Sequence, residues 1–317
     1  MAGTLGGAQA SFAVARLLLS ALALCGASAG GGEAAVKRFG PSAATKVIEV
    51  PADASEPRAE LGVLRGLGGY TKGFRRWDGF MARVFGGGGA FGVMGPPGGC
   101  SSTAGRRSKT SVTARLGACD YAVNGGPFSM DTGACLGHSV SAGVPVCPDC
   151  TVGGFGALGL RRGSGGGNAT WVMAPAGLEW EDAEALNVTE LISGFSMLVS
   201  ESKALPQKGN RAREIAPRTA LGLDARGVLI VLEVDGCEKC PASVGGPQGL
   251  TLAELADEMV KLGAVYALNL DGGGSSTTVV HGEVADWPTS KDVPLPHPLE
   301  RDVSTVVCIR APTASFI

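Results

Sequence analysis

An excess charge of either sign is what this 317-residue chain lacks: 27 Lys and Arg stand against 29 Asp and Glu, a formal net charge of −2. No long basic block breaks that balance, and Gly105-Arg-Arg-Ser-Lys109 reads as a solvated loop. Neither nucleic acid nor an anionic membrane surface is therefore an expected partner. Histidine is scarce too, with 3 residues. His297 falls in a Pro-rich stretch and reads as solvated, which leaves His138 and His281 as catalytic options. Beyond the N-terminus no run of about 18 apolar residues occurs, so no stable membrane anchor is expected. The only Gly-x-Ser-x-Gly match is Gly26-Ala-Ser28-Ala-Gly30, which argues against the nucleophile elbow of a serine hydrolase.

That match sits in a targeting signal. Arg16 precedes Leu17-Leu-Leu-Ser-Ala-Leu-Ala-Leu-Cys25, and Ala27-Ser-Ala29 is a small-residue cleavage pattern. Residues 1–29 are read as a signal peptide and 30–79 as a leader or propeptide-like segment carrying a first strand. The expected location is the secretory pathway lumen, in the Golgi or on the way out of the cell. Of the 9 cysteines, Cys25 leaves with the signal, and an even set in an oxidising compartment favours disulfides. Cys147-Pro-Asp-Cys150 and Cys237-Glu-Lys-Cys240 are too far apart for a zinc ribbon, so no metal ligand is assigned. Asn168-Ala-Thr170 and Asn187-Val-Thr189 are glycosylation sequons.

What the chain does have is glycine, at 51 residues, and 44% hydrophobic residues, enough for a sizeable core. Gly86–Gly89 and Gly163–Gly167 read as flexible loops. Lys46–Val50, Phe80–Phe85, Ala90–Met94 and Val303–Ile309 read as strands, and residues 51–79 show no clear period. Thr110–Leu116 suggests a short helix. Arg218–Leu223 and Val228–Val234 form an expected hairpin turning at Ala225–Gly227. Thr251 caps the clearest helix, with Leu252, Leu255, Met259 and Leu262 at helical spacing and Gly263 ending it. The fold class expected is α+β: a strand-rich mixed sheet with few helices, stabilised by disulfides.

The chemistry concentrates in Val265-Tyr-Ala-Leu-Asn269-Leu-Asp271-Gly-Gly-Gly-Ser275-Ser276, an apolar strand running into a carboxylate and a glycine loop. Bare backbone N–H groups there can nest an anion. No Gly-Lys-Ser/Thr follows, and a strand comes next, so neither a P-loop nor a Rossmann turn is indicated. Two other strands end alike, in Tyr121-Ala-Val-Asn124-Gly125-Gly126 and in Glu233-Val-Asp235-Gly236. Each Asp-Gly alone reads as a turn. Together with Arg218 they suggest one rim, where Asp271 and Asp235 divide catalytic roles as glycosidase carboxylates do. Asn124, Gly125, Gly126, Arg218, Gly272, Gly273, Gly274 and Ser275 would bind substrate, with Arg218 gripping a phosphate.

Asn124-Gly-Gly-Pro-Phe128, Cys135-Leu-Gly137, Arg218-Thr-Ala-Leu-Gly222, Val234-Asp-Gly236, Leu252-Ala-Glu-Leu-Ala256 and Asn269-Leu-Asp-Gly-Gly-Gly-Ser-Ser276 resemble, in order, the motifs of the phosphodiester glycosidase family. The resemblance covers roughly residues 95–310, within an expected catalytic domain of residues 80–317. It implies hydrolysis of the bond between the anomeric carbon of N-acetylglucosamine and a phosphate, uncovering mannose 6-phosphate on a glycoprotein glycan, with no cofactor. It also implies the bridges Cys100–Cys135 and Cys119–Cys308. A binding module that grips sugar phosphates without turnover, and an esterase using Ser275, are the competing readings. Oligomeric state is not legible.

Overall fold

The computed structural model describes residues 35–39, 45–68, 75–151, 153–163, 168–237, 248–288 and 300–316. At its centre is the expected hairpin. Arg218–Leu223 pairs with Leu229–Val234 in unbroken antiparallel register, from Arg218 opposite Val234 to Leu223 opposite Leu229. The turn closes on Asp224, whose Oδ1 accepts from the N–H groups of Arg226 and Val228. Gly227 takes a φ of +75° there, in the left-handed region that glycine tolerates. All twelve strand residues are buried, because both faces of the sheet are covered.

The hairpin lies within an eight-stranded sheet. In spatial order this runs Lys203–Ala204, Ser196–Ser200, Tyr266–Asn269, Arg218–Leu223, Leu229–Val234, Arg75–Phe85, Arg58–Gly68 and Thr313–Phe316. Leu221, Leu223, Leu229 and Val231 on its inner face share a core with Leu158 and Leu160 of a seven-stranded sheet and with Val123 and Val307 of a five-stranded one. On the outer face Ala220, Ile230 and Leu232 pack against Leu255 and Met259 of the Leu252–Lys261 helix. That helix starts as expected: Thr251 and Glu254 form a reciprocal capping box, a device that contributes about 1 kcal/mol. Gly263, at φ +91°, follows its end.

Strands dominate, with five helices among the described residues, so the architecture is mostly β. Its main sheet is mixed: Thr313–Phe316 runs parallel to Arg58–Gly68, and its other pairings are antiparallel. The short helix at Thr110–Leu116 and the strands Phe91–Met94 and Val306–Ile309 form where expected.

Two readings change. Residues 51–79 contain most of a long hairpin, Arg58–Gly68 against Arg75–Phe85, in which Ala59 and Leu61 are buried and alternate with less buried neighbours. Gly87–Ala90 is a helical turn rather than a flexible loop. A side chain at Gly87 would begin 2.4 Å from the Trp171 ring, so this glycine is required by packing. Most of the Gly163–Gly167 run lies outside the described residues, as does His297.

The expected bridges Cys100–Cys135 and Cys119–Cys308 are both present. Cys147–Cys150 is closed as well, so that pair is structural, and Cys237 is disulfide-bonded. No helix among the described residues is long and apolar enough to cross a membrane.

Candidate active site

Register places the key residues on one edge of the eight-stranded sheet. Val234 lies opposite Arg218, and Asn269 lies opposite Ala220. Asp235 and Asp271 therefore leave the sheet at the same end, on either side of the Arg218 strand. Their backbones are separated by two strand spacings, about 10 Å. The five-stranded sheet meets this edge through Asn124, which is fully buried. Its Nδ2 donates to the Asp271 carbonyl at 2.8 Å, and its Oδ1 accepts from Thr219 Oγ1 at 2.7 Å and from the Thr277 N–H at 3.3 Å. The Asp271 N–H in turn donates to the Gly125 carbonyl at 3.1 Å. One buried amide thus holds three chain segments in place beneath Asp271.

The glycines serve the same joint. A Cβ at Gly125 would lie 2.5 Å from Thr305 Oγ1, and one at Gly126 would lie 2.5 Å from the Ser193 carbonyl. Their N–H groups donate to the Thr305 carbonyl and hydroxyl, each at 2.8 Å. Gly272 passes over the Pro217 carbonyl, which a Cβ would approach to 2.9 Å. Gly273 adopts φ +61° and donates to that same carbonyl at 2.9 Å. The N–H groups of Ser275 and Ser276 close a short 3-10 turn onto Gly272 and Gly273. The loop backbone is thus largely spent on its own shape, and the charge facing a ligand has to come from side chains.

Those side chains differ between the two aspartates. Burial pushes the Asp271 carboxyl up to about 6, although a hydrogen bond from Ser275, the Gly272 N–H and the charges of Arg301 and Arg211 pull it down. Ser275 is fully buried, and its Oγ accepts from Arg301 Nη1 at 3.1 Å. Asp235 also rises to about 6 through burial, resisted by the Trp287 N–H on its Oδ1 at 3.1 Å and reinforced by Asp78. Behind it stand Glu233 and Asp286, both buried and both held well above the usual carboxylate range by burial and by neighbouring acids, Asp286 and Asp235 for Glu233 and Asp235 and Glu300 for Asp286. Asp271 thus faces cations, and Asp235 faces acids.

A family model described as phosphodiester glycosidase matches residues 117–310, a span that holds Asn124, Arg218, Asp235, Asp271 and Ser275. The chain belongs to the phosphodiester glycosidase family. The N-acetylglucosamine-1-phosphodiester alpha-N-acetylglucosaminidase of Bos taurus is 36% identical over 237 residues, covering 70% of this chain and 42% of its own. The Homo sapiens protein of that name is 34% identical, with 70% and 44% covered. The chain therefore spans less than half the length of these curated relatives. Among solved structures, the zebrafish N-acetylglucosamine-1-phosphodiester alpha-N-acetylglucosaminidase catalytic domain, auto-inhibited by its pro-peptide, superposes with a TM-score of 0.72 at 28% identity, covering 84% of this chain and 88% of that one. A hypothetical protein from Synechocystis shares the fold, with a TM-score of 0.54 at 13% identity over 87% of this chain and 75% of that one.

In this family member, Arg218 points to the helix side of the sheet. Its Nε donates to the Leu250 carbonyl at 3.0 Å, and its Nη2 donates to the carbonyls of Arg211 and Glu214. It therefore organises the segment that carries Arg211. His138 is buried against Glu179 at 3.0 Å, and His281 lies 3.8 Å from Asp120 on an exposed turn. Ser275 is buried, receives a guanidinium N–H from Arg301 and hydrogen-bonds the Asp271 carboxyl. Sequence reading missed Arg301, Arg211, Thr219, Glu233, Asp286 and Trp287. Thr219 and Glu233 lie inside quoted segments and face each other across the hairpin, whereas no local signal marks Asp286 or Arg301.

Proposed function

We propose that the chain hydrolyses the bond between N-acetylglucosamine and phosphate in a sugar phosphodiester, the reaction named for its relatives. The observation that carries the reading is the pair of aspartates at one sheet edge, Asp235 buried among acids and the partly buried Asp271 among cations. A leaving phosphate needs positive charge more than it needs a proton. It therefore belongs beside Asp271, where Arg211 and Arg301 lie, with Asp271 as the acid. Asp235 then takes the water side as base or nucleophile. Asn124 and the glycines Gly125, Gly126, Gly272, Gly273 and Gly274 shape the joint, and Arg218 and Ser275 act on substrate through their neighbours.

The uncovering of mannose 6-phosphate on glycoproteins is the physiological form we favour. It fits a luminal address, a signal peptide over residues 1–29 and exposed acceptors at Asn168 and Asn187. Since Val47, Ile48 and Val50 are buried in the core, a removable leader on this chain would end before Thr45.

The test is release of N-acetylglucosamine from a diester of N-acetylglucosamine 1-phosphate with methyl mannoside. Turnover that Asp271→Asn and Asp235→Asn each abolish supports the reading. Tight binding of the diester with no release would mark a binding module instead. Azide should rescue Asp235→Ala as a glycosyl azide and leave Asp271→Ala inactive; the reverse would exchange the two roles.

A further inference from the structure

Three buried carboxylates converge behind the candidate site, and among the described residues no cation is paired with them. Glu233, fully buried, and Asp235, 8% exposed, lie two residues apart and project from the same face of their strand. Asp286, also 8% exposed, arrives from the segment after the Glu283–Val284 strand. One oxygen from each carboxyl lies within 4.8 Å of the others. The neighbours that shift Glu233 and Asp286 electrostatically are carboxylates too, Asp235 and Glu300 among them. Burying such a group without compensation is costly.

The polar atoms around the cluster are also unmatched. Among the described residues neither oxygen of Asp286 has a hydrogen-bond partner, nor does Glu233 Oε1. Glu233 Oε2 has one long bond, from Thr278 Oγ1 at 3.4 Å. Tyr121 supplies an independent sign. It is 1% exposed, its hydroxyl lies beside Thr278 and within the field of Glu233 and Asp286, and it makes no hydrogen bond of normal geometry. A neutral hydroxyl left unpaired beside three acids is what a coordinated ion, with its waters, would satisfy.

We infer that Glu233, Asp235 and Asp286 form a site for a calcium-sized divalent cation. Oxygens on opposite sides of one calcium ion lie about 4.6–5.2 Å apart, which accommodates the spacing of this group. Magnesium, with metal–oxygen distances near 2.0–2.1 Å, needs opposite oxygens within about 4.2 Å, a tighter shell than calcium requires. Three carboxylates supply hard oxygen ligands, and Tyr121 is placed to hydrogen-bond a coordinated water or carboxylate. The ion would join the end of the Leu229–Val234 strand to the Asp286–Trp287 segment, and so fix the side chain on which the water side of the proposed reaction depends. It would also hold Asp235 ionised, which agrees with its role as base or nucleophile but does not rest on it.

The experiment uses the full chain, freed of metal by a chelator and dialysis, and titrated with calcium by calorimetry and thermal melting. One ion should bind per chain, and about 1 mM calcium should raise the melting temperature by roughly 5 °C. Terbium in place of calcium should give luminescence sensitised through Tyr121 and Trp287. Asp286→Asn should lose the calcium response and the terbium signal, yet melt without metal at or above the metal-free wild-type temperature, because one uncompensated acid is gone. Magnesium should stabilise less than calcium. Absence of calcium uptake and of any melting shift in the wild type would overturn the inference, as would an Asp286→Asn protein that still responds like the wild type. Neither readout involves turnover, so failure here leaves the glycosidase reading standing, and loss of turnover leaves this one standing.

Discussion

Asp271 and Asp235 are a matched pair in sequence and opposites in surroundings. Each ends an apolar strand, each precedes glycine, and burial raises each carboxyl to about 6. Around Asp271, Arg301, Arg211 and the Ser275 hydroxyl soften the effect of burial. Around Asp235 the charge of Asp78 adds to the effect of burial, and Asp235 in turn makes ionisation of Glu233 and Asp286 harder. Similar acidity reached by different routes means that the two sites will respond differently to the same perturbation. A strand-end Asp-Gly specifies where a carboxylate stands, and residues far away along the chain decide what it can do.

The largest expected effect tests whether Asp271 is chemical or merely structural. Asp271→Asn should cut release of N-acetylglucosamine by about a hundredfold or more while melting close to the wild type. Normal turnover in that variant would remove the asymmetry altogether.

Next comes the cation on the same side. Arg301→Gln should lower kcat by about tenfold to a hundredfold through lost stabilisation of the leaving phosphate. Removing the positive charge lets the Asp271 carboxyl climb above 6, so its protonated form persists to higher pH. The high-pH limb of the kcat profile should therefore move upward, by about one pH unit. A limb that stays put would detach Arg301 from Asp271.

Ser275→Ala is a gentler probe. Deleting one hydrogen bond to Asp271 should cost a few-fold, about 1 kcal/mol, with most of the fold and some activity retained. Complete loss of activity in Ser275→Ala alongside a working Asp271→Asn would favour the esterase reading.

The smallest effect is on stability. A carboxyl whose folded pKa exceeds its unfolded value of 3.8 contributes fully below that value, and the contribution is lost as pH rises through about 6. Between pH 5 and pH 7 the melting temperature should fall, and Asp271→Asn should reduce that fall by about 2 °C. An unchanged slope would place Asp271 in freer contact with water than the fold implies.

Much of this arrangement could be read before any coordinates. The Arg218–Val234 hairpin announced itself because an apolar run broke at Asp224-Ala-Arg-Gly227, and the helix after Thr251 because cap, period and terminating glycine agreed. The Asp271 loop stood out because a carboxylate was fixed between a strand and three glycines. The hairpin between Arg58 and Phe85 was obscured by the arginines and glycines scattered through it, although its buried Ala59 and Leu61 do alternate with Glu60. Gly86–Gly89 looked loose in a glycine-rich chain, whereas Trp171 packs against Gly87. Asp286 and Arg301 could not be placed, because each meets its neighbours only after the five-stranded sheet closes on the eight-stranded one.

The Cys119–Cys308 bridge, with 189 residues between its ends, has a consequence for processing. Asn124, Arg218, Asp235, Asp271, Ser275 and Arg301 all lie inside this single covalent ring, which removes about 5 kcal/mol of chain entropy from the unfolded state. A protease that cut once within the ring would nick the molecule without releasing either piece, and the fragments would separate only after reduction. Upstream of Cys100, by contrast, the sole cysteine is Cys25. A cut between Cys25 and Cys100 leaves two pieces that no bridge among the described residues joins, while Asn124, Asp235 and Asp271 stay tethered to one another.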